Sequence, residues 1–291
     1  MVRVRHGLVH GRRRGHPRRR GRGLGRPRRP GRAARASPAR PGVARVKALI
    51  LAAGRGTRLG ALTQSCPKPM LDLGGRPILE HIVSGIRDHA GIREFAVVTG
   101  YLAERITAHF GDGARLGVRI HFRHQPRQDG TGSAVHLARD LLGDAPFLLT
   151  WGDIVVSTPN YGGIVAAFQR AKCDAMLGLN WVEDPAAGAA VYLGNASRVT
   201  RIVEKPPPGT SSTRWNNAGF GVLGPAIWAE IERLAPSPRG EYELPRAIAA
   251  LVASGANVRA VPVEGPWFDV GTPDDLAAAR TAFANNPRGK Q

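Results

Sequence analysis

The chain has 291 residues and a formal net charge of +20, but residues 1–45 hold sixteen arginines with no lysine and no acidic residue, leaving only +4 for the rest. That near-neutral body argues against a nucleic-acid-binding protein, no apolar run approaches the roughly 18 residues of a membrane span, and Cys66 and Cys173 have neither disulfide-scaffold nor metal-ligand spacing. A reducing cytoplasm is the expected setting.

Residues 1–45 mix arginine with glycine and proline and have few apolar side chains, so they cannot offset the entropy of ordering and are expected to be disordered. Such a tail suits phosphate neutralisation on nucleic acid, lacks aromatic stacking residues, and leaves a transit peptide open. Valine can be encoded by an alternative start codon, so Val43 or Val46 is the expected natural start and the tail is expected to be non-native. The division is therefore residues 1–45 as tail and 46–291 as one α/β domain.

Residues 46–51 (VKALIL) form a short apolar run, the pattern of a strand buried on both faces. The chain then turns small and polar through Gly54, Gly56, Thr57 and Arg58, and Lys68 follows between two prolines. Glycine after a strand lets the backbone approach a ligand, and clustered amides beside cations suit a phosphate chain. The stretch is neither a Walker loop nor the dinucleotide fingerprint, whose third glycine is replaced by Leu59.

Residues 77–89 carry Ile78, Ile82, Val83 and Ile86 at helical spacing, 95–99 read as a strand, 102–110 as a helix and 118–122 as a strand. This alternation predicts a doubly wound, mostly parallel, Rossmann-like sheet with ligands at the carboxyl ends of its strands. A polar loop from Gln125 to Ser133 follows, then a helix through Leu142. A glutamine there can read a base edge with one donor and one acceptor. Residues 147–150 predict a strand running into Gly152-Asp153, where a carboxylate can hold Mg²⁺. Segments 175–182, 189–193, 199–204 and 219–223 read as antiparallel ribbons of a smaller substrate-facing part. Residues 225–234, 241–254 and 273–283 predict helices, with a strand over 258–263. His81 and His136 are expected on helix surfaces.

GxGTRL at 54–59 together with PKPM at 67–70 resembles the signature of the sugar-1-phosphate nucleotidyltransferases, and the resemblance extends over residues 46–284. Gln125 and Gly130 match the family's base-reading loop, Gly152-Asp153 its metal-binding Gly-Asp, Glu204-Lys205-Pro206 its sugar motif, and Trp267 to Pro273 its closing Trp-x-Asp-x-Gly-Thr-Pro. The resemblance implies a nucleotide site at Ala52, Ala53, Gly54, Gly56, Thr57, Gln125, Gly130 and Thr131, and a sugar site at Gly188, Glu204, Lys205 and Asn217. It further implies Mg²⁺ on Asp153 and Asp269, with Arg58 on the leaving pyrophosphate, Lys68 on the α-phosphate and Lys205 on the incoming phosphate.

The implied reaction joins a nucleoside triphosphate, with dTTP or UTP favoured, to a sugar 1-phosphate and releases pyrophosphate. A phosphate monoester with its second pKa of about 6 is already an anion, so no general base is required and positioning with charge neutralisation carries the reaction. Guanylyl or cytidylyl transfer to another sugar or cyclitol phosphate is the nearest alternative, and a non-catalytic regulatory subunit of the same fold is the alternative of another class. Family members often form dimers or tetramers, leaving a homo-oligomer open. The Trp151 beside Gly152 departs from the family pattern.

Overall fold

The computed structural model describes residues 46–285, and the expectations for residues 1–45 lie outside them. The element order opens with β1 (Lys47–Ala52), α1 (Ile78–Gly85), β2 (Glu94–Thr99), α2 (Ala103–Phe110) and β3 (Arg119–His124). It continues through α3 (Thr131–His136), α4 (Arg139–Leu142), β4 (Phe147–Trp151), β5 (Ile154–Val156) and α5 (Pro159–Ala171). Then come β6 (Ala175–Trp181), β7 (Ala189–Leu193), β8 (Val199–Glu204), β9 (Trp215–Leu223), α6 (Ile227–Glu232), α7 (Leu244–Ala253), β10 (Val258–Pro262), β11 (Trp267–Asp269) and α8 (Pro273–Asn285).

The main sheet runs β10-β6-β9-β4-β1-β2-β3, with β7 joining β9 and β8 joining β7. β1 is parallel to both β2 and β4, β2 to β3, and β6 to β10, whereas β9 runs antiparallel between β4 and β6. The central sheet is thus largely parallel, as the alternating pattern predicts. Two of the segments read as peripheral ribbons, β6 and β9, lie inside it. Only β7 and β8 stand off as an antiparallel hairpin.

Side chains of β1 alternate between the two faces, and both faces are covered. Ala48, Ile50 and Ala52 pack with Leu79, Ile82, Ile106, Tyr161, Ile164 and Leu276 from α1, α2, α5 and α8. Leu49, Leu51 and Ala53 pack with Val135, Ile227, Trp228, Ile248 and Leu251 from α3, α6 and α7. Burial on both faces is why the strand is an uninterrupted apolar run rather than an alternating one.

Three differences from the sequence reading have local causes. The first helix gives way to a wider π turn over Ile86–Ala90, closed by left-handed Gly91. The helix expected through Leu142 breaks after His136, where the Ala138 amide bonds back only three residues, to Val135. His136 is exposed as expected, but His81 is buried: its Nε2 lies 2.6 Å from the Leu73 carbonyl, while Nδ1 faces Arg76 at 3.2 Å. Burial holds that imidazole below its ordinary pKa. Among the described residues no helix is long and apolar enough to cross a membrane.

Candidate active site

The first loop is shaped by the strand it leaves. The Ala53 carbonyl accepts from the Tyr101 amide at 3.2 Å and from Gln128 Nε2 at 3.0 Å, which ties it to the carboxyl end of β2 and to the Gln125 loop. Gly56 then adopts φ 66°, where a side chain would be strained and a Cβ would stand 3.1 Å from the Lys68 Cβ. The turn exposes Gly54, Thr57 and Arg58 while holding Lys68 beneath it, buried.

Lys68 is where the expected charges converge. Its Nζ lies 2.5 Å from Asp153 Oδ2 and 3.7 Å from Asp269 Oδ1. Asp153 follows β4, and Asp269 ends β11, whose antiparallel pairing with β5 sets Asp269 opposite Ile154. The Val270 amide donates to the Asp153 carbonyl at 3.1 Å, so backbone geometry fixes the two aspartates as neighbours. Arg58 reaches the same place: a Cβ on Gly271 would lie 2.9 Å from its Nη2. Burial and the Asp153 charge push the Asp269 carboxyl up, against the opposing pull of Lys68 and Arg58.

Two carboxylates directed at one cation form a hard-oxygen donor pair. The described residues hold no cluster of three or more candidate metal ligands. A pair fits Mg²⁺, which typically takes one or two carboxylates and completes its shell with waters and substrate phosphates.

The Gln125 loop is held from both sides. The Gln125 amide extends the β2–β3 ladder to the Thr99 carbonyl at 2.7 Å, and the side chain is buried. Its Nε2 donates to Asp129 Oδ1 at 3.1 Å and to the Gly130 carbonyl at 3.0 Å. Gly130, at φ 120°, passes so close to the Tyr242 backbone that a Cβ would lie 2.3 Å from its carbonyl oxygen. The glycine is therefore required by packing, whatever it also does for a base. Thr131 Oγ1 accepts the Leu244 amide at 3.0 Å, anchoring the start of α7.

The sugar-motif residues gather at the β7–β8 hairpin. The Lys205 amide donates to the Gly188 carbonyl at 2.7 Å, and Lys205 takes an unusual φ of 44°. Glu204 is half-buried, and its carboxyl is pushed up to about 7, chiefly by burial and against the pull of Lys205. Beside them a groove of about 540 Å³ is also lined by Arg239 and Glu243, which pair with each other.

Asn217 caps a bulge, its Oδ1 accepting the Gly219 amide at 3.1 Å. Gly219 at φ 76° leaves room for Ile154 and Trp151, which explains the tryptophan: it packs between the two cores at the end of β4.

The adjacent Asn216 is the residue sequence reasoning missed. Buried, it accepts the Ala189 amide at 2.9 Å and donates to Asn180 Oδ1 at 2.9 Å. A Cβ on Gly188 would lie 2.2 Å from its Oδ1. Only strand register separates the two adjacent asparagines, and register is not written in a dipeptide.

A family model described as Nucleotidyl transferase matches residues 47–286. The chain belongs to the nucleotidyl transferase family. The UTP–glucose-1-phosphate uridylyltransferase AglF of Haloferax volcanii is 35% identical over 233 residues, covering 79% of this chain and 93% of that protein. The bifunctional protein GlmU of Methanococcus maripaludis is 34% identical over 239 residues, covering 82% of this chain and 54% of that one. The chain thus spans about half the length of the GlmU relatives.

Among solved structures, a Bacillus anthracis protein described as a glucose-1-phosphate thymidylyltransferase aligns with a TM-score of 0.74 at 26% identity, covering 81% of this chain and 94% of that one. A UDP-glucose pyrophosphorylase aligns at 0.75 with 20% identity, over 82% and 98%, and bears on the fold alone. Both solved structures align with this largely parallel sheet between helices over about four-fifths of the chain.

Proposed function

We propose that the protein is a Mg²⁺-dependent nucleotidyltransferase that condenses a nucleoside triphosphate, UTP or dTTP favoured, with a sugar 1-phosphate to give a nucleotide-sugar and pyrophosphate. The observation that carries this reading is the convergence of Lys68, Arg58, Asp153 and Asp269 at the carboxyl end of β1 and β4. The names of AglF and of the Bacillus anthracis thymidylyltransferase agree with it.

The donor's phosphates lie over the Gly54–Arg58 turn, with Ala52 and Ala53 beneath the nucleoside and Gln125, Gly130 and Thr131 at the base. An oxygen of the sugar 1-phosphate attacks the α-phosphorus, the bond to the bridging oxygen breaks, and pyrophosphate leaves with the electron pair. Lys68 stabilises charge on the α-phosphate, Arg58 braces the departing pyrophosphate, and Lys205 holds the attacking phosphate. Glu204 accepts from sugar hydroxyls, with Gly188 and Asn217 forming the wall. Asp153 and Asp269 would hold Mg²⁺, which supplies charge neutralisation between the two polyanions when bound.

Pyrophosphate release measured with Mg²⁺ over several nucleoside triphosphates and sugar 1-phosphates tests this reading. Release with a uridine or thymidine donor is expected, and Asp153→Asn should lower turnover by at least about 100-fold, the scale of losing one focused electrostatic contact. Near-normal turnover in Asp153→Asn would remove that aspartate from the site.

A further inference from the structure

The turn that carries Gly188 and the loop that follows Lys205 are joined at two points. At one, the Lys205 amide donates to the Gly188 carbonyl at 2.7 Å. At the other, the Gly209 amide donates to Asp184 Oδ2 at 2.8 Å, across 25 residues of chain. Asp184 Oδ1 meanwhile accepts the Ala186 amide at 3.1 Å and caps the single helical turn Pro185–Ala187. Capping needs one oxygen, and serine or asparagine supplies it as well. A carboxylate offers two acceptor oxygens, and here the second is spent on the loop.

The loop has few other ties. Pro206, Pro207 and Pro208 have no N–H to donate. The Thr210 amide and hydroxyl turn back to the Pro207 carbonyl at 3.2 Å and 2.7 Å, and only farther on do Ser211 and Thr213 bond to Tyr192 and Val191 of β7. Among the described residues, Gly209 therefore makes the one hydrogen bond from residues 206–210 to the 184–188 turn. Lys205 stands where this loop begins, at φ 44°. A left-handed residue other than glycine persists only where its surroundings hold it. Its ammonium pulls on the Glu204 carboxyl but closes no salt bridge among the described residues, so its placement comes from the backbone.

We infer that Asp184 is a positioning residue, clasping the 206–210 loop to the 184–188 turn and so fixing Lys205 and Gly188 against each other for the incoming sugar 1-phosphate. This rests on the proposed acceptor site. With the clasp open, the strain at Lys205 relaxes by swinging the loop, and the ammonium moves off the phosphate. Neither segment hydrogen-bonds to residues 54–58 or 125–131 among the described residues, so the loss falls on the acceptor and spares the nucleotide.

Asp184→Ala and Asp184→Ser in the full chain test this, since serine keeps the cap and drops the clasp. In both, the KM for the sugar 1-phosphate should rise at least about tenfold, the effect of a displaced binding group, while the calorimetric Kd for the nucleoside triphosphate stays unchanged. Hydrogen exchange gives a readout that needs no turnover: the Gly209 and Lys205 amides should both exchange faster in the two variants. An unaltered KM in Asp184→Ser would reduce Asp184 to a turn cap and overturn the inference. So would an equal loss of nucleotide affinity, or a Lys205 amide that stays fully protected. If Asp184→Ala does not fold, Asp184→Ser carries the test. No pyrophosphate release by the unaltered chain with any pair would overturn the proposed reaction, and exchange at the Lys205 amide then decides whether the clasp stands.

Discussion

At Lys68 two carboxylates share one buried ammonium, and removing that charge leaves Asp153 and Asp269 facing each other. Lys68→Met should therefore lower the melting temperature at pH 7, and millimolar Mg²⁺ should recover more of it in the variant than in the unaltered protein; a melting curve with and without Mg²⁺ checks both. Glu204 makes a different prediction. Burial raises its folded pKa to about 7 from an ordinary 4.5, so the native state favours the proton. Its contribution to stability is complete below the ordinary value and is lost as pH rises through 7. Glu204→Gln should accordingly gain stability relative to the unaltered chain between pH 5 and pH 8. On the proposed reading, sugar binding runs the other way, because a carboxylate is the better acceptor for hydroxyls. The KM for the sugar phosphate should fall between pH 6 and 8, and the part of that fall absent from Glu204→Gln belongs to this carboxyl.

Helix α5 shows where sequence legibility ends at the level of elements. Its opening, Pro-Asn-Tyr-Gly-Gly, is poor helical material by propensity, so neither α5 nor the three-residue β5 before it emerges from apolar periodicity. Packing explains half of that: a Cβ on Gly162 would stand 2.3 Å from the His89 carbonyl, while one on Gly163 would meet nothing within 4 Å. Replacing glycine by alanine within a helix is worth about 0.5–1 kcal/mol. Gly163→Ala should gain about that much. At Gly162 the clash is with backbone on a packed turn, and overpacking of about 1–3 kcal/mol outweighs the gain, so Gly162→Ala should be net destabilising in denaturant unfolding. By contrast β1, β2 and β4 were readable, because both-face burial writes apolar runs, and the positions of Gln125, Asp153 and Asp269 at or just past strand ends followed from them. Asn216 and the burial of His81 were not, since each depends on what a distant segment places opposite it.

For the molecule as a whole, the order of strands decides how it unfolds. β9 lies between β4 and β6, and β10 completes the edge beyond β6, so the late part of the chain is threaded through the sheet begun by the early part. The β7–β8 hairpin hangs on β9 through the pairing of Ala190 with Asn216. Scanning calorimetry should record one transition for the sheet, hairpin included. A saturating nucleotide with Mg²⁺ should move it upward as a unit, by about 2.7 kcal/mol of added stability at a hundredfold excess over Kd. A separate early transition for the hairpin would contradict this reading.

The ribbon of β5 and β11 has one more consequence. The gap between Asp153 and Asp269 is gauged by a backbone ladder, Asp269 against Ile154 and Val270 against Asp153, not by side-chain rotamers. Gly188 and Glu204, at the β7–β8 hairpin, take no part in that ladder. On the proposed reading the scaffold separates what is joined from how it is joined: an ancestral lineage could trade one acceptor for another by changing Gly188 or Glu204, with the phosphate chemistry inherited unchanged.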